Sequence, residues 1–195
     1  MGRVAEISRS TGETEIGLSL CLDGGEIEIR TGVGFFDHML NLFAAHGRFG
    51  LKLNCDGDID VDFHHTVEDV GIALGAAFSK ALGEKRGIVR YGSFLLPMDE
   101  ALVMVALDIS GRAGLYYDAQ LPSDKVGDFD TELVEEFFNS VCRNMGLTLH
   151  IRQISGRNTH HIIEAMFKGF GRALKDAVKL DESLKGAIPS TKGVL

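Results

Sequence analysis

His64-His65-x-x-Glu68 recurs as His160-His161-x-x-Glu164, and each copy opens an apolar stretch with helical spacing. The first copy reads DFHHTVEDVGIALGAAFSKAL and the second NTHHIIEAMFKGFGRAL. Residue 64 maps onto residue 160, an offset of 96 that is close to half of the 195-residue chain. At the same offset Gly50-Leu51 falls on Gly146-Leu147 and Leu53 on Leu149. Self-similarity on this scale marks an internal duplication. The chain is therefore expected to fold as two like halves. Because the repeated element carries metal-ligand residue types, the doubled fold and the doubled chemistry belong together.

The periodicities of the two halves agree. Thr14, Ile16, Leu18, Leu20 and Leu22 alternate with Glu13, Glu15, Gly17, Ser19 and Cys21, which predicts a half-buried strand. Asp23-Gly24-Gly25 reads as a hairpin turn into a strand holding Ile27 and Ile29. Phe35, Met39, Leu40, Leu42 and Phe43 fit one helix face ending at Gly47, Leu51 to Cys55 a strand, and residues 65–82 a helix stopped by Gly83. In the second half Ala101 to Ile109 is a predicted strand, Ser110-Gly111 a turn and Leu115 to Ala119 the return strand. A helix carrying Leu133, Phe137, Phe138 and Val141, a strand from Leu147 to Ile151 and a last helix over 161–179 follow. Each half is β-β-α-β-α, an α+β unit with helices covering one face of its sheet. The expected half-units are 1–92 and 93–195, packed as one body because no linker divides them, with AIPSTKGVL as an extended tail.

A net charge of −8 with no run of Lys or Arg argues against a nucleic-acid partner, since phosphate neutralisation supplies most of that affinity. Cys21, Cys55 and Cys142 form no CxxC pair and read as small buried residues of a reducing cytoplasm. The opening MGRVAEISRSTGETEI has no apolar core of a signal peptide, and no apolar run approaches the ~18 residues a membrane span needs. Secretion and membrane insertion are unsupported, and the expected location is cytoplasmic.

Residues four apart share a helix face, so His64 with Glu68 and His160 with Glu164 each offer two ligands on one side. Neighbouring residues diverge by about 100° on a helix, so the histidines of one pair point to different ions. Two ions, with each pair divided between them, is the economical reading. His38, at a helix start in FDHM, is the best additional ligand, and Glu136 stands at the matching place in the second half. Imidazole and carboxylate donors without thiolate suit Mn, Fe, Co or Zn. One such motif could be a chance surface cluster; two at the repeat offset make that reading poor. Asp69 has Ala165 as its counterpart, which suits a carboxylate that orients a ligand or simply favours an early helix turn. His150 reads as a structural strand histidine, and His46 as either a helix-end charge partner or a pocket residue. Arg90, Arg112, Lys168, Ser190 and Lys192 lie near element ends or in the tail, where Ser-Thr-Lys-Gly offers hydroxyl, ammonium and backbone donors for a phosphate.

GFFDHML, DFHHTVEDVGIALG, PMDEAL, SGR, TLH, GRNTHHIIEAMFKGFGRAL and PSTKGVL, in this order over residues 3–195, together resemble the imidazoleglycerol-phosphate dehydratase family. The resemblance implies a lyase of histidine biosynthesis with a duplicated fold like that of ribosomal protein S5 domain 2. It further implies two Mn²⁺ per active site, sites shared between neighbouring subunits, and a homo-oligomeric shell of 24 chains. The ligands it implies are His38, His64, His65, Glu68, His160, His161 and Glu164, with Glu136 where the family often has histidine. It assigns Arg90, Arg112, Lys168, Ser190 and Lys192 to the substrate phosphate, and places His46 and Asp99 with the substrate. Glu13, His65 and Glu164 form the implied catalytic set, with Glu13 or Glu164 as base.

That reaction removes water from a glycerol side chain on imidazole, and the proton lost is not alpha to a carbonyl. Its acidity must come from the ring acting as an electron sink. Two Lewis-acidic ions at the ring nitrogens are expected to stabilise an imidazolate and a diazafulvene-like intermediate as hydroxide leaves. The enol product then becomes the ketone. The competing readings are a dimetal hydrolase and a metal-stapled assembly protein; both leave the basic tail without a role.

Overall fold

The computed structural model describes residues 2–195. The first half runs β1 (Val4–Ser10), β2 (Thr14–Cys21), β3 (Ile27–Arg30), α1 (Gly34–Gly47), β4 (Gly50–Gly57) and α2 (His64–Leu82). The second runs β5 (Tyr91–Met98), β6 (Ala101–Asp108), β7 (Gly114–Asp118), the small hairpin β8 (Lys125–Val126) and β9 (Phe129–Asp130), α3 (Leu133–Met145), β10 (Thr148–Ser155) and α4 (Thr159–Val178). The β-β-α-β-α order is present in both halves, and each is preceded by one further strand. Those two strands carry weak signals: β1 buries fully only Ala5, and β5 shows no alternation until Leu96.

The sheets have orders β1-β2-β4-β3 and β5-β6-β10-β7. Two expected hairpins are corrected here. β3 does not return along β2 but pairs in parallel with β4, Ile27 opposite Leu51 and Ile29 opposite Leu53. β7 likewise pairs in parallel with β10 and not with β6. Period two reports which face of a strand is buried, not which strand lies beside it. Here the apolar β4 and β10 take the inner positions, and α1 and α3 serve as the crossovers that parallel pairing demands.

Each sheet has its own pair of helices on one face, α1 and α2 on the first, α3 and α4 on the second. α2 crosses α3 and α1 crosses α4, which joins the halves. The seam is aromatic. Phe43 of α1 stacks on Phe170 of α4 at 5.2 Å, and Phe36 of α1 meets Phe137 of α3 edge-on at 5.3 Å, all with no exposure. Glycines set how closely the helices approach. A Cβ at Gly75 would lie 2.7 Å from the Val141 carbonyl, and one at Gly171 would lie 2.5 Å from that of Phe43. No helix among the described residues is long and apolar enough to cross a membrane.

Candidate active site

Both histidine pairs sit in the first turn of a helix, and polar caps hold them there. Asn158 caps α4 by accepting from the His160 N–H at 3.0 Å and the His161 N–H at 3.4 Å. At α2 the Asp62 carboxylate accepts from the His64 N–H at 2.7 Å. Asp37 accepts from the Thr31 N–H and hydroxyl, which fixes the entry of α1 and so the place of His38.

The crossing of α1 and α4 brings His38, His160 and Glu164 together, with one ligand atom from each inside a 4.8 Å span. His160 Nε2 lies 3.6 Å from Glu164, and the His38 and His160 rings are 5.9 Å apart. Phe35 packs edge-on against His160 at 5.2 Å. Glu164 is buried, 8% exposed, and Lys168 Nζ reaches it at 2.5 Å. Burial pulls the His160 pKa down against the opposing pull of Glu164, while the charges of His38, His161 and Lys168 add to the fall. That favours the neutral ring, which is the form that binds a metal. With bonds of about 2.1 Å, donors on opposite sides of one ion lie about 4 Å apart. This nitrogen-and-oxygen set fits a divalent ion after a side-chain adjustment.

The first motif is more open. His64 Nε2 is 3.9 Å from Glu68, with the two side chains 48% and 37% exposed. Glu13, His65 and Glu68 line one cleft of about 270 Å³ with Arg9, Thr11, Asp69 and Ile72. Glu136, half-buried on α3, stands ten residues before the left-handed cap Gly146; His38 stands ten before the left-handed cap Arg48. It is the register partner of His38, although no close ligand cluster includes it among the described residues. Nor does any such cluster combine the two motifs.

The anion candidates divide as well. Arg90 is committed to Asp108 through Nε at 2.7 Å and Nη2 at 3.0 Å, and its Nη1 donates to the Pro189 carbonyl at 2.8 Å. This pins the tail beside Arg112, whose guanidinium is exposed and 3.9 Å from Asp108. The Ser190 hydroxyl accepts from the Lys192 N–H at 3.2 Å. Within this chain Lys168 lies away from the tail: it touches the Met98 sulfur, at the far end of β5. At about 3.3 Å per residue, β5 alone separates the two ends by roughly 23 Å.

His46 is half-buried in the last turn of α1. Burial lowers its pKa first, and the positive charges of Lys168 and Arg172 lower it further. Asp99 Oδ2 is 3.8 Å from His161 Nε2. Asp69 orients no histidine; it accepts from Arg9, Thr11 and Thr14. His150 stacks on Tyr116 at 4.4 Å on the open face of the second sheet.

Two residues were not singled out from sequence. Asp58 Oδ2 lies 2.9 Å from His65 Nδ1, and Glu100 Oε2 lies 2.8 Å from His161 Nδ1. Each carboxylate raises the pKa of its histidine. The Glu100 carboxyl is itself held down at about 2, by His161 first and then by the Asn158 N–H. Nothing in the spacing of Glu100 and His161, 61 residues apart, announces the pair.

The profile of the imidazoleglycerol-phosphate dehydratase family matches residues 31–174. The chain is 61% identical to the imidazoleglycerol-phosphate dehydratase of Acetivibrio thermocellus, covering the whole of both. It is 58% identical to that of Trichlorobacter lovleyi, again over both whole chains. Among solved structures it resembles the enzyme from Staphylococcus aureus, with a TM-score of 0.84 and 44% identity over 91% of this chain and 99% of that one. It also resembles the enzyme from Pyrococcus furiosus in complex with (S)-C348, with a TM-score of 0.85 and 38% identity over 97% and 100%. A duplicated helix-capped histidine motif, the fold around it and these likenesses agree: the chain belongs to the imidazoleglycerol-phosphate dehydratase family.

Proposed function

We propose that this hydro-lyase of histidine biosynthesis dehydrates imidazole-glycerol phosphate at a site completed by a second copy of the chain, with two Mn²⁺ ions held by the paired motifs. The observation that carries the shared site is the separation within one chain. Among the described residues no close ligand cluster joins His38, His160 and Glu164 to the His64–Glu68 pair, and Lys168 stands roughly a strand length from Arg90 and the tail. A site shared between subunits lets one small phosphorylated imidazole meet both ends of β5 at once, which supports this reading. Assembly into a 24-chain shell and a cytoplasmic location, which accords with three unpaired cysteines, belong to the same reading.

His38, His64, His65, His160 and His161, with Glu68, Glu164 and Glu136, would hold the ions; Glu136 makes the set richer in oxygen. When bound, the ions supply Lewis acidity to the ring nitrogens of the substrate, and this makes the neighbouring C–H acidic. Glu13 is the better placed base. It lines the cleft with His65 and makes no side-chain ion pair among the described residues, whereas Glu164 is engaged by Lys168. Glu13 takes the proton from carbon and, once protonated, returns it to the departing hydroxyl, which leaves as water; the enol then becomes the ketone. Arg112, Ser190 and Lys192 hold the phosphate far from the reacting carbon, which fixes orientation. Arg90 pins the tail that carries two of them.

Turnover of imidazole-glycerol phosphate tests the metal reading. Activity should vanish on chelation and return with Mn²⁺; undiminished turnover by protein shown to be metal-free would overturn it.

A further inference from the structure

The two histidine pairs share an arrangement that the duplication does not explain. In each, the first histidine leans on the glutamate four residues later, while the second gives Nδ1 to a carboxylate. The two carboxylates arrive from unrelated places. Asp58 lies in the loop between β4 and α2, whereas Glu100 lies in the tight turn between β5 and β6. At the repeat offset of 96, Asp58 maps onto Ile154, and Glu100 maps onto Val4. Neither carboxylate is a copy of the other, so the same contact has been built twice from different parts.

Both are held firmly. Met98 pairs with Ala101, which leaves Asp99 and Glu100 as a two-residue hairpin loop with Asp99 in the left-handed region at φ 49. Glu100 Oε1 accepts from the N–H groups of Arg157 at 3.2 Å and Asn158 at 2.8 Å, so its other oxygen is aimed at His161. Asp58 is anchored by its own N–H, which donates to the Glu13 carbonyl at 3.1 Å. Its Oδ2 faces His65, while its Oδ1 is buried without a partner. Asp58 therefore keeps one oxygen in an unfavourable place while the other holds the histidine.

We propose that Asp58 and Glu100 are positioning residues that grip Nδ1 of His65 and His161 and turn Nε2 outward as a donor in place before an ion arrives. The inference rests on the dimetal reading above. In the neutral ring a carboxylate at Nδ1 keeps the proton on that nitrogen and leaves the lone pair on Nε2; it also removes the ring flip that would otherwise present either nitrogen. His64 and His160 lack this grip and remain free to adjust.

The test is Mn²⁺ binding to chelator-stripped protein, read from the electron paramagnetic resonance of free Mn²⁺, with the visible spectrum of the Co²⁺-loaded protein as a second readout. Asp58→Ala should weaken one class of site by about ten- to a hundredfold, and Asp58→Asn, which keeps an acceptor oxygen, should recover part of the loss. Glu100→Gln keeps an acceptor for the Arg157 and Asn158 N–H groups, and so spares the start of α4. It should still weaken Mn²⁺ binding and shift the Co²⁺ spectrum. The effect of Asp58→Ala should disappear in a His65→Ala background, because the carboxylate acts only through that ring. Affinities of Asp58→Ala and Glu100→Gln within about twofold of the parent, with unchanged Co²⁺ spectra, overturn the positioning role while leaving the dimetal reading intact. A folded parent protein that takes up no Mn²⁺ overturns both.

Discussion

Asp69 shares α2 with His65, yet its oxygens serve Arg9, Thr11 and Thr14. Burial alone would raise its carboxyl, but the Thr14 hydroxyl and the Arg9 guanidinium outweigh burial, and the pKa falls below its ordinary value. A carboxyl lowered on folding contributes stability that is complete above the unfolded value, about 3.9, and is lost as pH falls through the folded one. Asp69→Asn should therefore cost about 1.5–3 kcal/mol in urea unfolding of the stripped protein at pH 7. The gap to the parent should close as pH drops below the ordinary carboxylate range; a gap independent of pH would contradict this account. At the other end of the chain, the Lys192 side chain is exposed in a segment without core packing. Lys192→Ala should leave melting and Mn²⁺ content unchanged and lower kcat/KM by about ten- to a hundredfold. A phosphate-free imidazole-glycerol should react equally with parent and variant if the ammonium holds phosphate. The ligand-type residues were legible because a helix spaces them, whereas the partners of Asp69 lie 55 to 60 residues away and leave no local pattern.

Among the elements, the helix crossings depend on residues that look dispensable in sequence. Gly75 lets α3 come so close to α2 that a Cβ would meet the Val141 carbonyl at 2.7 Å and the Asn144 Cβ at 2.9 Å. Neither backbone can yield without moving a helix. Gly75→Val should lower stability by about 1–3 kcal/mol or more, measured by chemical denaturation, although valine is the more apolar residue. A neutral or stabilising result would mean that the crossing is looser than described. Helix faces were readable from period 3.6, and strand faces from period two. The partners of β3 and β7 were not, because Asp23-Gly24-Gly25 satisfies the local chemistry of a hairpin while the inner β4 offers the better ladder.

Across the whole molecule, the proposed sharing of the site between chains has a direct consequence. A variant disabled in the first motif, His64→Ala, and one disabled in the second, His161→Ala, should each be inactive alone. Dissociated, mixed equally and reassembled with Mn²⁺, they should regain up to about a quarter of parental activity, because random pairing unites an intact first motif with an intact second one. No recovery in fully reassembled particles would place both motifs of each site within one chain. An ion that bridges chains also contributes to the interface, so His64→Ala stripped of metal should scatter light as a smaller particle than the Mn²⁺-loaded parent.

The sequence by itself determined the doubling, the helix and strand faces and the histidine–glutamate spacing, because each is set by a period of two, of about 3.6, or of half the chain. Only the tertiary structure decided what lies beside what. It put His38 of one half against His160 and Glu164 of the other, and it brought Glu100 onto His161 across 61 residues. It also drew the tail onto Arg90. Side-chain spacing along a helix is local geometry, but a contact between distant segments depends on how the sheets order their strands and how closely the helices cross, and no local pattern records either.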